Sequence, residues 1–236
     1  QHVYKKVEGI DAKISHLVEM EGRLIAAGLE GIFEVDGLQA QRITHAPTRY
    51  IYASEKLSSI IASTYDDEIW SLKYTELGWQ QVSLINGLGD QIEYVFEGAD
   101  NEWWLCGLDR IYQLQLNAQG IQRLQTIGLS NPNFEKTVGL QYRDEIIFVN
   151  TDGFFRFERS KNSLVKIDSL ERPFQYFPVN GHILYRDPHR WNMFGTVENR
   201  NNLQLLNLFQ NLRFITTDKN PQNLWMIRGS NELLKF

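Results

Sequence analysis

Three short segments of the sequence place charged side chains where they could bind an anionic group. The most unusual is 186–190, where Arg186, His189 and Arg190 flank a proline. Guanidinium groups form charge-assisted, often bidentate hydrogen bonds with carboxylates and phosphates. This segment therefore predicts a contact with an acidic ligand, with a solvated turn as the alternative. Comparable turns supply the remaining candidates, Arg228, Asp109 and Arg110.

Catalytic signatures that depend on a fixed spacing are absent from the sequence. It contains no G-x-x-x-x-G-K phosphate loop, no H-E-x-x-H zinc helix, no G-x-S-x-G nucleophile elbow and no C-x-x-C pair. Ser163 and Lys166 spell S-x-x-K, but the other elements of that active site are missing, so we interpret the match as coincidence. We expect no cofactor, no bound metal and no enzymatic activity.

The composition narrows the classes of partner. With 24 Lys and Arg against 29 Asp and Glu, the net charge of −5 would repel a phosphate backbone, so we expect no nucleic acid. The longest apolar runs, such as 146–149, are far shorter than the roughly 20 residues of a membrane span. The single cysteine, Cys106, excludes an internal disulfide. The chain begins at Gln1, from which we expect an N-terminal segment to have been removed.

The elements that must position these residues form a repeat. Its unit is a short apolar strand, a tight turn and a second apolar or aromatic strand, which together indicate a β-hairpin. Successive units begin 36, 43, 43, 37 and 41 residues apart, close to the length of a four-stranded propeller blade. The six units begin at Leu24, Ile60, Trp103, Ile146, Ile183 and Leu224.

Two further strands fit around each hairpin, an apolar run before it and a more polar run after it. The sequence therefore predicts an all-β fold, a six-bladed β-propeller of four-stranded antiparallel blades forming one domain over 1–236. The predicted innermost strands are 14–18, 50–53, 92–96, 138–142, 174–177 and 212–216. The predicted blades cover 10–45, 46–84, 85–126, 127–168, 169–207 and 208–236.

The two ends of the chain complement each other in this scheme. The sequence reaches Phe236 after the third strand of the sixth unit, whereas residues 2–7 read as an outer strand with no blade before it. Pairing of residues 2–7 with the last blade would satisfy backbone groups along an open edge. We therefore predict that the N-terminal strand closes the ring.

The third unit carries a family resemblance. Residues 86–114, NGLGDQIEYVFEGADNEWWLCGLDRIYQL, resemble the two-component regulator propeller repeat through the GL dipeptide at 87–88, the tryptophan strand at 103–107 and the return strand at 110–114. The resemblance implies a sensor that is periplasmic or extracellular and part of a membrane-anchored receptor. An output domain attached to such a sensor would make a homodimer the expected assembly.

The leading hypothesis is a non-catalytic propeller that senses an unknown small molecule, a glycan fragment or a partner domain at its top face. At the top face, the turns between the second and third strands of each blade meet the connections between blades. One alternative is a metal-dependent lactonase-like hydrolase or lyase, for which the inner strands offer only Glu93, His16 and Glu19. Another is a protein-interaction scaffold that needs no ligand in its channel.

Overall fold

A computed structural model describes residues 5–99, 101–117, 120–129, 136–179, 181–194, 206–209, 212–217, 224–229 and 232–235. These residues form six antiparallel sheets that follow one another along the chain as the blades of a β-propeller. The predicted fold class is confirmed.

In each blade the first strand along the chain is the innermost, and the later strands follow outward in order. The first four blades have four strands each: β1 Ile14–Met20, β2 Arg23–Gly28, β3 Gly31–Asp36 and β4 Gln39–Thr44; β5 Thr48–Ser54, β6 Ser59–Thr64, β7 Ile69–Thr75 and β8 Gly78–Ile85; β9 Tyr94–Glu97, β10 Glu102–Cys106, β11 Arg110–Asn117 and β12 Gly120–Gly128; β13 Val138–Tyr142, β14 Glu145–Asn150, β15 Gly153–Glu158 and β16 Ser163–Lys166. The last two blades have three described strands each: β17 Gln175–Val179, β18 His182–Arg186 and β19 Trp191–Phe194; β20 Leu212–Thr217, β21 Leu224–Arg228 and β22 Glu232–Lys235.

Local sequence chemistry explains these hairpins. The turn from β1 to β2 places Glu21 and Gly22 at φ 51° and 77°, the left-handed conformations that a two-residue hairpin turn requires and that glycine adopts freely. The second strands are covered on both faces by neighbouring blades, and β6 is buried at all six of its positions. Outer strands such as β4 and β8 keep a solvated face, which accounts for their polar composition.

Among the described residues, buried side chains form five clusters, each of which joins two successive blades. Between the third and fourth blades, Trp104 is completely buried and packs edge to face against Phe148 and Phe157, with ring centroids 5.4 and 4.8 Å apart. Aromatic pairs of this kind stabilise a core beyond the area that they bury. Tryptophan on the second strand of the repeat therefore packs blade against blade.

The predicted closure by residues 2–7 falls partly on residues 1–4, which lie outside the described residues. Residues 5–7 are in no strand. Glu8 pairs instead with Gln39 at the start of β4 in the first blade, where its N–H donates to the carbonyl of Leu38 at 2.8 Å. Closure of the sixth blade by an N-terminal strand stays a prediction.

Candidate functional site

The innermost strands place six residues at one level of the propeller. Each pairs with a residue at or next to the end of the second strand of its blade. Five of the six carry rings, and two pairs are in contact: His16 with Tyr50 at 4.6 Å and Tyr50 with Tyr94 at 6.0 Å between ring centroids. The six residues are His16, Tyr50, Tyr94, Val138, Tyr176 and Phe214.

Irregular pairing just before this level redirects several side chains. The register shifts between residues 14 and 16 of β1, between 48 and 50 of β5 and between 212 and 214 of β20. A β-bulge leaves one residue unpaired and changes where its side chain points. Two of the extra residues are arginines, Arg49 and Arg213. Arg49 pairs with Glu93 at 3.6 Å and lies 4.1 Å from the centre of the Tyr65 ring.

Lys136 extends into the channel from the segment that precedes β13. Its ammonium lies 5.3 Å from the centre of the Tyr50 ring and 5.4 Å from that of Tyr94, within the range of cation–π attraction. The Tyr176 hydroxyl donates a hydrogen bond to the Lys136 carbonyl and ties this segment to the fifth blade. Burial lowers the pKa of Lys136, and the carboxylate of Glu93 partly opposes that shift.

A cavity of about 490 Å³ lies beside Lys136, between the inner strands of the fourth, fifth and sixth blades. One of its walls is β17, where the Gln175 side chain donates to the Leu212 carbonyl at 2.8 Å and so links the last two blades. The Oε1 atom of Gln175 is buried without a hydrogen-bond partner among the described residues. The lining residues that carry the argument below are Lys136, Phe174, Gln175, Tyr176, Arg213 and Phe214.

His16 lies at the same level, and its lowered pKa should make the stability of the protein depend on pH. Burial, and secondarily the charge of Lys136, lower the pKa of His16 to about 4. The unfolded chain takes up this proton near pH 6.5, while the folded protein resists it until about pH 4. Stability that is fully present above pH 6.5 is therefore lost as the pH falls toward 4, by about 2–3 kcal/mol from this residue.

We expect His16→Gln to remove this part of the acid sensitivity. Urea unfolding of the wild type and the variant at several pH values between 7 and 4 measures this effect. Since the carboxylates are the same in both proteins, the difference between the two isolates the contribution of His16. The two curves of unfolding free energy against pH should converge toward pH 4. Parallel curves would contradict the depressed pKa.

The residues predicted from the fifth-blade turn lie near this cavity but do not line it. Arg186 ends β18 and pairs through its backbone with Gln175, which places the turn at the cavity's end of the ring. The Asp187 carboxylate accepts hydrogen bonds from the backbone N–H groups of His189 and Arg190, at 2.7 and 2.8 Å. His189 and Arg190 are exposed, so the turn is held from within and presents its charges to solvent.

The other predicted site residues lie at the same end of their blades. Arg228 ends β21 opposite Leu212, and its Nε donates to Glu232 at 2.6 Å, so its charge is balanced locally. Asp109 lies in the turn between β10 and β11 of the third blade and Arg110 begins β11, and both are exposed. None of these three lines the cavity. Their role in ligand binding stays a prediction.

The inner-strand residues that a metal enzyme would use are spread apart. Glu93 pairs with Arg49, His16 packs edge to face against Tyr50, and Glu19 is exposed on β1. Within the described ranges no three side chains of His, Cys, Asp or Glu gather as metal ligands would. The same part of the chain contains no helix of the length and hydropathy that crossing a membrane requires.

Sequence reasoning missed Lys136 and Arg213. Lys136 lies outside the strand pattern, and the position of Arg213 depends on a bulge that alternation of apolar and polar residues does not reveal. A usable signal was the recurrence of rings within the predicted inner strands, at His16, Tyr50 and Tyr94. Extending that comparison to all six units would have located the level of the cavity.

The fold and this site define a six-bladed β-propeller with a cavity of small-molecule size beside its channel. No family model and no curated protein matches the sequence. Solved structures do match. The extracellular domain of a protein described as the hybrid two component system BT3049 of B. thetaiotaomicron has a TM-score of 0.64 and 16% identity, over 94% of this chain and 33% of that one.

Two further structures share the fold. The extracellular domain of the one component system BT4673 of B. thetaiotaomicron has a TM-score of 0.57 and 15% identity, over 94% of this chain and 38% of that one. Virginiamycin B lyase of Staphylococcus aureus has a TM-score of 0.50 and 14% identity, over 91% of this chain and 76% of that one. The chain thus spans about a third of the length of the two signalling neighbours, 33% and 38%. At these identities the likeness establishes the fold, the β-propeller that the six repeats predicted, and it agrees with the resemblance to the two-component regulator propeller.

Proposed function

We propose that this protein is the ligand-binding propeller of a bacterial signalling receptor, acting in the periplasm or outside the cell without catalysing a reaction. The observation that carries the proposal is the cavity of about 490 Å³ beside the channel. Its volume falls within the range of roughly 300–1,000 Å³ that small-molecule sites occupy. The two signalling neighbours, both extracellular domains, support the assignment.

The position of the cavity suggests how binding would be transmitted. Its walls come from the fourth, fifth and sixth blades, and Lys136 extends from it to the rings of the second and third blades. A ligand that fills it would favour one arrangement of these blades over another. Such a difference in affinity is what a ligand needs to shift the population of an attached output module.

Larger ligands would extend beyond the cavity. Arg186, His189 and Arg190 lie at its end of the ring, where they would contact the remainder of a glycan fragment or a partner domain. In a membrane-anchored receptor the output domain would also supply the contacts for a homodimer.

A thermal-shift screen of small sugars and organic acids tests the proposal. A ligand at 100 times its Kd stabilises the folded state by about 2.7 kcal/mol. For a chain of this length that raises the melting temperature by roughly 5–10 °C. Thr216→Trp would place an indole in the cavity and should abolish the shift, because Thr216 belongs to its lining.

The matched control is Thr126→Trp on the outer strand β12, where the native side chain is exposed. It should leave the ligand-induced shift intact. Compounds that stabilise the Thr216→Trp variant as strongly as the wild type would place the binding site elsewhere. A screen in which no compound stabilises the wild type would count against a small-molecule sensor.

A further inference from the structure

The charge of the cavity lining indicates what its ligand carries. Lys136 and Arg213 both belong to the lining, which contains no aspartate or glutamate. Among the described residues neither cation forms an ion pair, although the bulge arginine of the second blade, Arg49, does pair with Glu93. The cavity therefore holds two positive groups with no carboxylate in its lining, and the charge of Lys136 is compensated only in part by Glu93, which is already paired with Arg49.

The surroundings of Lys136 make that imbalance costly. Its ammonium rests on the rings of Tyr50 and Tyr94, which supply only weak electrostatic compensation. Burial correspondingly lowers the pKa of this amine. An anion bound next to the ammonium would restore the favourable interaction that water provides in an exposed lysine.

The lining of the cavity also includes exposed apolar rings. Phe174 and Phe214 line it and remain 62% and 50% exposed, respectively. Large aromatic side chains gain free energy when a flat partner covers them. Tyr176 and Phe177 of β17 also belong to the lining, although their rings pack toward opposite neighbouring blades. A charged group joined to a ring would use both features of the lining.

Resting on the proposed function, we infer that the ligand is an organic carboxylate on a six-membered ring. Lys136 and Arg213 neutralise its charge, and its ring packs against Phe174 and Phe214. Sugar acids and aromatic acids share this chemistry.

The inference is tested by comparing each acid with its amide, for sugar acids and for aromatic acids. The probes are glucuronate and galacturonate with their amides, and benzoate and 4-hydroxybenzoate with theirs. Calorimetric titration of the wild type should show at least one acid binding ten-fold or more tighter than its amide. Whether the sugar pair or the aromatic pair gives the larger ratio identifies the source.

Two variants test whether Lys136 and Arg213 bind the carboxylate of the ligand. Lys136→Met keeps the length of the side chain and should weaken the acid at least ten-fold while leaving the amide unchanged. Arg213→Gln should weaken the acid several-fold. The control is Lys73→Met, which removes an exposed charge on β7 and should change neither. Arg213 is exposed, so its variant keeps the test valid if Lys136→Met fails to fold.

The outcomes separate the two proposals. Amides that bind as tightly as acids, with binding still abolished by Thr216→Trp, would overturn the charge inference and leave the proposed function standing. Acids that bind the Lys136→Met and Arg213→Gln variants like the wild type would also overturn it. Failure of every compound, neutral or acidic, to bind would overturn both.

Discussion

Replacing Asp90 with alanine is expected to lower the free energy of unfolding by about 3–5 kcal/mol, a loss typical of a buried polar network left without one partner. Asp90 is only 7% exposed and lies just before β9. Its Oδ1 accepts hydrogen bonds from the backbone N–H groups of Leu108 and Asp109, at 3.0 and 3.4 Å. Its Oδ2 accepts the Tyr112 hydroxyl at 3.2 Å. The carboxylate thus holds the turn between β10 and β11 against the inner strand.

Gly107 lies next to this carboxylate, and replacing it should disturb the same hydrogen bonds. A Cβ added at Gly107 would overlap the Asp90 carboxyl group, which supplies the three nearest atoms. Gly107→Ala should therefore displace Asp90 from its partners and destabilise the protein in the same direction. This contact gives a physical reason for the glycine that ends the tryptophan strand of the repeat.

Thermal unfolding measures both effects. A loss of about 3–5 kcal/mol corresponds to a melting temperature lower by roughly 6–20 °C for a chain of this length. Asp90→Asn, which keeps one acceptor oxygen, should lose less. The control is Asp109→Ala in the same turn, because that side chain is exposed. A melting temperature for Asp90→Ala equal to that of Asp109→Ala would show that the buried hydrogen bonds do not hold the blade.

The fold follows from patterns that are local in the sequence. Each hairpin is formed by one continuous segment, such as 103–114, in which apolar and aromatic residues pair across a tight turn. Six copies at nearly constant spacing then leave few arrangements other than a ring. The order of strands inside each blade follows as well, because antiparallel neighbours in sequence are neighbours in space.

The cavity could not be predicted in the same way, because residues far apart in the chain build it. Lys136 and Arg213 are 77 positions apart, and they line one cavity only because the fourth and sixth blades both flank the fifth. The sequence does direct attention to the correct end of the ring through Arg186. It does not show that Arg186 pairs with Gln175 through its backbone while Gln175 itself lines the cavity.

Tyr94 contacts both the core between the blades and the residues around Lys136. It packs against the clusters between the second and third, third and fourth, and fourth and fifth blades. It also contacts the rings of Tyr50 and Phe96 and supports the Lys136 ammonium. A side chain shared by three blade interfaces should stabilise the ring more than one confined to a single interface.

We therefore expect Tyr94→Ala to cost about 3–5 kcal/mol, as truncation of a large aromatic residue packed against the core does. Tyr94→Phe should cost under about 1 kcal/mol, because burial raises the pKa of the phenol far above its usual value and the hydroxyl carries no charge. Tyr74→Ala is the matched truncation on β7, where the ring is 38% exposed, and should cost under about 2 kcal/mol.

Urea unfolding of the three variants decides whether Tyr94 has this central role. The expected order of stability places Tyr94→Phe near the wild type, Tyr74→Ala below it and Tyr94→Ala lowest. The slope of unfolding free energy against urea should stay constant if the ring still unfolds as one unit. An unfolding free energy for Tyr94→Ala within 1 kcal/mol of Tyr74→Ala would mean that the blades pack independently of the channel. In that case a ligand beside Lys136 would have no rigid connection through Tyr94 to the second and third blades.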